Sequence, residues 1–376
     1  MSKVKDIIEI LEGFAPSKLA ADWDNVGLQV GKADSPVETI LVTLDVTEKV
    51  IEEAAAKEAS LIISHHPVTR GNIESVNCDN FTGRRLWMAA NSDISVFVMH
   101  TNLDACPGGV SDILAKQIGL EAIEILQGTG GRSEYKLVCF VPLSHLDVVT
   151  EAIVSAGGGV IGDYTHCTFR IQGTGTFKPG AKSRPFVGNA EEISEVEEIR
   201  LETRVSDKNI GTVVARMLEV HPYEEAAYDV YSLVESHPNC GWGRIGKLKR
   251  PLSLNACVEV WRKKLQLKSL KVCGNPSQRV EWVAVCGGSG GNLISIAKER
   301  GAQALITGDV KYHDAQLAEF YDLAIIDAGH YHTERQIVPK LASFIEQELK
   351  NRKEAVKVLI SEVNTNPWLE TDIGSS

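Results

Sequence analysis

His65 and His66 stand side by side before Pro67, closing the apolar run LIISHHP (61–67). Two adjacent imidazoles at the end of an apolar strand are costly to bury without partners. Other ligand-type side chains recur at comparable places. His100 and Asp104 follow ISVFVMH (94–100), Asp309 and His313 follow ALITGD (304–309), and His330 and Glu334 follow LAIIDAGH (323–330). His330 and Glu334 have the i,i+4 spacing that puts both on one helix face, at the start of a helix leading to Ile337 and Leu341. Adjacent side chains on a regular strand point to opposite faces, so His65 and His66 share a site only where the strand has ended. Pro67 biases His66 toward an extended backbone, and imidazoles fanning from one terminus could reach two neighbouring ions. Histidine and carboxylate without thiolate suit divalent ions such as zinc, manganese or iron. A pair of ions ~3.5–4 Å apart favours hydrolysis, one generating hydroxide and both clamping developing charge. Asp309 and His313 are candidate proton carriers or orienting groups.

The elements that must position these residues follow an α/β grammar. Val4, Ile7, Ile8, Leu11 and Phe14 predict an opening amphipathic helix. ILVTLD (40–45), a helix over 47–59 capped by Thr47, LIISHHP and ISVFVMH alternate strand with helix. VEWVAVCGG (280–288), NLISIAKERGA (292–302), ALITGD and LAIIDAGH repeat that alternation. This implies two related halves with mostly parallel sheets covered on both faces, presenting their ligand-rich strand ends to one cleft.

Between the halves, strands at 135–142, 167–173, 195–205 and 226–233 and helices at 146–156 and 209–218 spell β-α-β-β-α-β. That is the split βαβ, ferredoxin-like order of a self-sufficient α+β domain. Gly128, Gly130 and Gly131 precede it, and Asn239, Gly241 and Gly243 follow. The expected organisation is therefore a discontinuous host, residues 1–126 and 238–376, with an inserted domain at 127–237.

Composition narrows the function. Lys and Arg total 39 against 50 Asp and Glu, a net charge of −11, which repels phosphate backbones and argues against a nucleic-acid polymer as partner. No apolar run suggests a membrane span, and Asp6, Glu9 and Glu12 interrupt any apolar leader after Lys3 and Lys5. The eight cysteines are scattered without a C-x-x-C pair, as expected of reduced thiols in a cytoplasmic protein. His145, His166, His221 and His237 lack ligand-type company and read as structural or solvated. CGGSGGN (286–292) could cradle an anion or make a tight turn; it fits neither G-x-G-x-x-G nor the P-loop. Asp24 and Asn25 of WDNVGLQVG (23–31) could face the cleft or shape a turn, and HPYEEAAYDVY (221–231) reads as shaping the last strand of the insert.

WDNVGLQVG, SHHP (64–67), HTNLDACPGG (100–109), TGDVKYHDA (307–315), GHYHTE (329–334) and ISEVNTNP (360–367) together resemble the GTP cyclohydrolase 1 type 2 homologues, also called NIF-three-like proteins. The resemblance covers both halves of the host. The insert resembles the PII/CutA-like domain that longer bacterial members carry. By motif, the resemblance implies a dinuclear metal site on His65, His66, Asp104, His330 and Glu334, with His100 beside it and His332 outside it. It also implies homohexameric rings whose metal sites open toward an internal cavity. The cyclohydrolase label implies opening the guanine imidazole ring of GTP with release of formate. Conventional GTP cyclohydrolases use Cys/His zinc sites, however, and no cysteine here joins the cluster. A phosphoester-cleaving hydrolase of a nucleotide or other small molecule would use the same ligands. The alternative from another class is a non-catalytic metal- or ligand-responsive regulator acting through the insert.

Overall fold

A computed structural model describes residues 2–69, 71, 73, 75–128, 134–233 and 239–368; Gly130, Gly131 and His237 lie outside the described residues. The chain forms two compact units, residues 1–129 with 238–376, and residues 130–237.

The first host segment contains α1 (Val4–Phe14), β1 (Gly27–Val30), β2 (Thr39–Thr43), α2 (Glu48–Ala56), β3 (Leu61–Ser64) and α3 (Phe81–Asn91). It continues through β4 (Ser95–Val98), α4 (Thr101–Ala105), α5 (Val110–Ile118) and β5 (Leu120–Gly128). The second unit contains β6 (Glu134–Pro142), α6 (Leu146–Ser155), β7 (Thr168–Phe177), β8 (Ser194–Ser206), α7 (Ile210–Val220) and β9 (Tyr228–Leu233). Its strands pair antiparallel in the order β7-β8-β6-β9, the split βαβ arrangement. Leu137, Cys139, Val141, Leu201 and Val205 alternate onto the sheet face that packs against Val149 and Ile153 of α6 and Val213 and Met217 of α7. His221 here is a buried structural histidine, its Nε2 facing the Phe140 carbonyl at 3.0 Å.

The second host segment contains β10 (Gly241–Ser253), α8 (Leu254–Leu265), β11 (Lys271–Cys273), β12 (Arg279–Ser289), α9 (Ile294–Glu299) and β13 (Ala304–Gly308). It ends with α10 (Tyr312–Phe320), β14 (Ala324–Asp327), α11 (His330–Glu334), α12 (Ile337–Arg352) and β15 (Lys357–Ile360). The host has two sheets, ordered β1-β4-β3-β2-β15 and β11-β14-β13-β12-β10-β5. The first carries four successive parallel strands, β15-β2-β3-β4, with β1 antiparallel at its edge. In the second only β12-β13-β14 are parallel and the other three pairings are antiparallel, so the expected mostly parallel sheet holds for the first alone. The repeated strand–helix grammar thus yields two parallel cores of the same order, each flanked by strands of other origin.

Both sheets are apolar on both faces, as parallel strands covered by helices require. Ile40, Val42, Leu61 and Ile63 pack against α1 and α12, while Leu41, Ile62 and Val96 pack against α2 and α3. In the second sheet, Val283, Val285 and Ile306 face α5 and α8, while Ala284, Leu305 and Ile325 face α9 and α10. Full burial of each such side chain is worth roughly 1.5–3 kcal/mol relative to exposure, so the strand ends are held by a stiff core. Thr47 caps α2 as its position suggests, accepting from Val50 N at 3.3 Å. Among the described residues no helix is long and apolar enough to cross a membrane. The eight cysteines are all free thiols.

Candidate metal centre

The backbone past β3 pins both histidines of SHHP. His65 N donates to the Thr43 carbonyl (3.3 Å) and His66 N to the Leu44 carbonyl (2.8 Å), extending the link to β2 beyond the last strand residue. The two rings splay from this terminus with centroids 4.9 Å apart. Past β4, His100 sits at the N-cap of α4, and Asp104 follows within that helix. Past β14, Gly329 turns the chain with φ +77°, and α11 carries His330 and Glu334. Both halves therefore place a histidine and a carboxylate four residues apart at a five-residue helix, His100 as the N-cap of α4 and His330 as the first residue of α11. The single helix expected from His330 to Leu341 is in fact two, α11 and α12. Pro339 lacks the N–H that would bond the Arg335 carbonyl, so the ladder breaks before α12 and α11 is free to angle its side chains into the site.

Five side chains converge. His66 Nε2 and His330 Nε2 lie 3.0 and 3.1 Å from Glu334 Oε2 and 3.2 Å from each other. On the other side, Glu334 Oε1 and Asp104 Oδ1 each lie 3.7 Å from His65 Nε2. Glu334 thus offers one oxygen to each of two ligand groups, His66–His330–Glu334 and His65–Asp104–Glu334. His65 and Glu334 are almost fully buried, yet His65 Nε2, Asp104 Oδ1 and Glu334 Oε2 have no hydrogen-bond partner among the described residues. Ligand atoms ~2.0–2.2 Å from one ion stand about 3.3 Å apart at the corners of a tetrahedron, close to the spacing around Glu334 Oε2. The donor set and its orphaned atoms fit divalent cations.

The outer ring nitrogens explain why the inner ones are available. His65 Nδ1 faces the Met99 carbonyl at 2.9 Å, His66 Nδ1 faces Asp45 at 2.7 Å and His330 Nδ1 faces Asp309 at 2.7 Å. Each acceptor holds a proton on Nδ1 and leaves the Nε2 lone pair pointing inward, the arrangement that orients metal-binding histidines. Without a cation or extra protons these lone pairs would repel one another and Glu334. His100 is built the same way. Its Nδ1 lies 2.8 Å from Asp24 Oδ1, and the other oxygen of Asp24 accepts from the amide and hydroxyl of Thr101. His100 groups with His65 and His66 at the edge of the cluster.

Asp309 adopts a left-handed backbone, φ +52°, which an aspartate tolerates better than most side chains, and this turns its carboxylate toward His330. Asp309 therefore sits behind a ligand. His313 stands on the exposed face of α10, facing Gln316 at 3.0 Å, and lines neither cavity beside the cluster. His332 lies outside both ligand groups, near Asn366 at 3.4 Å. Asp45 is a functional residue that sequence reasoning missed; an aspartate closing ILVTLD as another closes ALITGD was the available signal. Asp24, weighed as either cleft or turn residue, belongs to the site. Asn25 makes a longer contact, 3.4 Å, to the Thr69 carbonyl.

Three amides of the glycine-rich CGGSGGN are already used within the fold. Gly287 N donates to Ser111, Gly288 N to Thr333 and Gly290 N to Thr307, at 3.3, 3.0 and 2.8 Å. The segment also makes room. A Cβ on Gly288 would stand 2.2 Å from Glu334 Oε1, and the residue needs φ +62°. The carboxylate can bridge only because no side chain occupies that place.

Charge follows geometry in the ion-free site. Burial opposes the charged form of His66, but Asp45 and Glu334 outweigh it and raise its pKa to about 9. Burial likewise opposes His330, and Glu334 and Asp309 raise it to about 9. Burial would raise Glu334, yet His330, His65 and His66 hold it well below the usual carboxylate range. Asp104 is raised, first by burial, with the Glu334 charge adding to it against the lowering pull of His65. Asp24 is desolvated too, but His100 and Thr101 bring it down to about 2.

Two cavities flank the cluster and share His330. One, of about 630 Å³, is bordered by Asp45, His66, Asp309 and the segment Thr365–Trp368. The other, of about 500 Å³, is bordered by Trp23, His100, Asp104, Trp242 and Glu334. Lys271 is the one Lys or Arg among the described residues lining either.

Comparison with known proteins agrees with this architecture. A protein of Halalkalibacterium halodurans described as a GTP cyclohydrolase 1 type 2 homolog is 39% identical over 362 residues, covering 96% of this chain and 97% of the relative. One of Bacillus subtilis with the same description is 36% identical, covering 97% of each chain. The crystal structure of a Bacillus cereus protein related to NIF3 superposes with a TM-score of 0.69 at 35% identity, over 98% of this chain and 99% of the other. The model of the Duf34/NIF3 (NGG1p interacting factor 3) family matches residues 2–367, and the chain belongs to that family.

Proposed function

We propose that the protein is a hydrolase using two divalent metal ions on a phosphate-bearing small molecule, a nucleotide or a related compound. The observation that carries this is the position of Glu334, one oxygen among His66 and His330 and the other toward His65 and Asp104. His66, His330 and Glu334 would hold one ion, and His65, Asp104 and Glu334 the other. Such a pair supplies hydroxide at neutral pH and a clamp for developing negative charge. Asp45 and Asp309 hold His66 and His330 in the ligating tautomer. Asp309 is assigned this orienting role rather than proton transfer, and the exposed position of His313 supports no catalytic part for it.

The related proteins' description as cyclohydrolase homologues suggests GTP, with the reacting ring carbon at the ions. That pose would put the triphosphate elsewhere in the cavities, where Lys271 is the single described cation. A substrate phosphate placed at the ions meets its counter-charge directly, so phosphoester cleavage is preferred over ring opening. A cytoplasmic, homohexameric ring with a PII/CutA-like insert is part of the same proposal, drawn from the family resemblance.

The test is metal analysis of protein purified without chelators, followed by phosphoesters, nucleoside phosphates and GTP as substrates. About two ions per chain with phosphate release supports the proposal. Formate release from GTP would replace phosphoester cleavage by ring opening. Two ions with no turnover of any of these would favour the regulatory alternative.

A further inference from the structure

We infer that Thr365 is a positioning residue of the metal centre, acting through Asp45 on His66, and that the segment 361–368 is thereby part of the site. This rests on the proposal above only in assigning an ion to His66, His330 and Glu334. Asp45 divides its oxygens: Oδ1 takes His66 Nδ1, and Oδ2 accepts the hydroxyl of Thr365 from 320 residues away in sequence. The torsion that turns a carboxylate about its Cβ–Cγ bond is broad, so a single hydrogen bond leaves its plane loosely set. Two bonds from opposite sides fix the plane, and with it the imidazole that leans on Oδ1. Asp24 obtains the same double anchorage from Thr101, the residue next to His100. Asp45 obtains it from the far end of the chain.

Thr365 is itself held in place. β15 lies parallel to β2, with Ile360 opposite Val42, and Ser361 N continues that pairing to the Val42 carbonyl at 2.9 Å. The hydroxyl of Ser361 and the amide of Glu362 both engage Glu53 of α2. Val363 packs on the apolar cluster between β2 and α2, and beyond Thr365 the Asn366 amide reaches His332. The strand that brings Thr365 to the site is thus the neighbour of β2, which leads two residues on to Asp45, and this gives the segment 361–368 a direct reason to be part of the centre.

The experiment compares Thr365→Val, which keeps shape and loses the hydroxyl, with Thr365→Ser, which keeps the hydroxyl. Both are made in the wild-type chain and in Asp104→Asn, where only the His66–His330–Glu334 position is expected to fill. Zinc affinity of the ion-free proteins is read by competition with a chromophoric chelator, and cobalt(II) absorption reports the ligand field. Thr365→Val should weaken zinc at that position about tenfold, the lower end of the range for groups that orient a ligand, and shift the cobalt spectrum. Thr365→Ser should restore both. An unchanged affinity and spectrum in Thr365→Val overturns the inference, as does a serine variant as impaired as the valine one. If wild type and Asp104→Asn each hold one ion, the dinuclear reading fails while the Thr365 comparison is still decided.

Discussion

Replacing Glu334 by glutamine tests the centre most directly, because one carboxylate serves both ligand groups. The substitution preserves size but removes the charge and converts one oxygen into a donor that cannot ligate. Asp104→Asn, by contrast, touches only the His65 group. The expected zinc content is about two per chain in wild type, about one in Asp104→Asn and below one in Glu334→Gln. The ion-free proteins add a second reading. His66 and His330 each rise from 6.5 to about 9, Glu334 being one of two anionic partners in each case. Taken singly, a rise of that size corresponds to about 3 kcal/mol of folding stability, and the two together give less than twice that because they lean on one carboxylate. Since the folded pKa lies above the unfolded one, the contribution is fully present below pH 6.5 and is lost as pH rises through about 9. Urea melts of ion-free wild type should therefore show stability falling by a few kcal/mol between about pH 6.5 and 9.5, and Glu334→Gln should flatten that slope. Zinc must displace the same protons, so its affinity should climb over the same interval and its binding should release protons at neutral pH. A glutamine variant that holds two ions, or keeps the wild-type pH slope, would refute this account of the site.

Two other substitutions probe the frame. Gly288→Ala should lose metal and about 1–3 kcal/mol in urea melts, because its Cβ would meet Glu334 Oε1 at 2.2 Å on a backbone with φ +62°; retained zinc content would show that the carboxylate does not need that gap. Arg244 is buried, its guanidinium bonded to the carbonyls of Gly241, Gly243 and Cys106 and to Asp112 at 2.8–3.1 Å, tying β10 to the turn after α4 and to α5. Arg244→Met strands Asp112 and should cost about 3–5 kcal/mol, measured by urea unfolding with metal saturating; a change under 1 kcal/mol would contradict that role.

Much of this was legible in the chain. Strands with apolar residues on both faces, separated by amphipathic helices, read directly as the parallel runs β2-β3-β4 and β12-β13-β14, since apolar periodicity is a local property. The antiparallel strands that complete the second sheet were not read. The β-α-β-β-α-β order between the halves was equally readable and appears as β6 to β9 with α6 and α7. SHHP and the i,i+4 pair His330–Glu334 announced a side-chain cluster because imidazoles and carboxylates at strand ends need partners. What local pattern could not show was which lone pairs meet. Glu334 reaches both candidate ligand groups only because two sheets present their strand ends to one another and Gly288 leaves the gap between them. The break between α11 and α12, ahead of Pro339, was written in the sequence, but its consequence for the angle of His330 was not. Asp45 and Thr365 escaped, and Asp24 stayed undecided between cleft and turn, for the same physical reason: an acceptor or a hydroxyl earns its role from the hydrogen bond it completes, and Thr365 completes one with a residue 320 positions away. Composition and periodicity determined the layers and the candidate ligands. Tertiary contact decided which oxygen faces which nitrogen, and therefore what the site can hold.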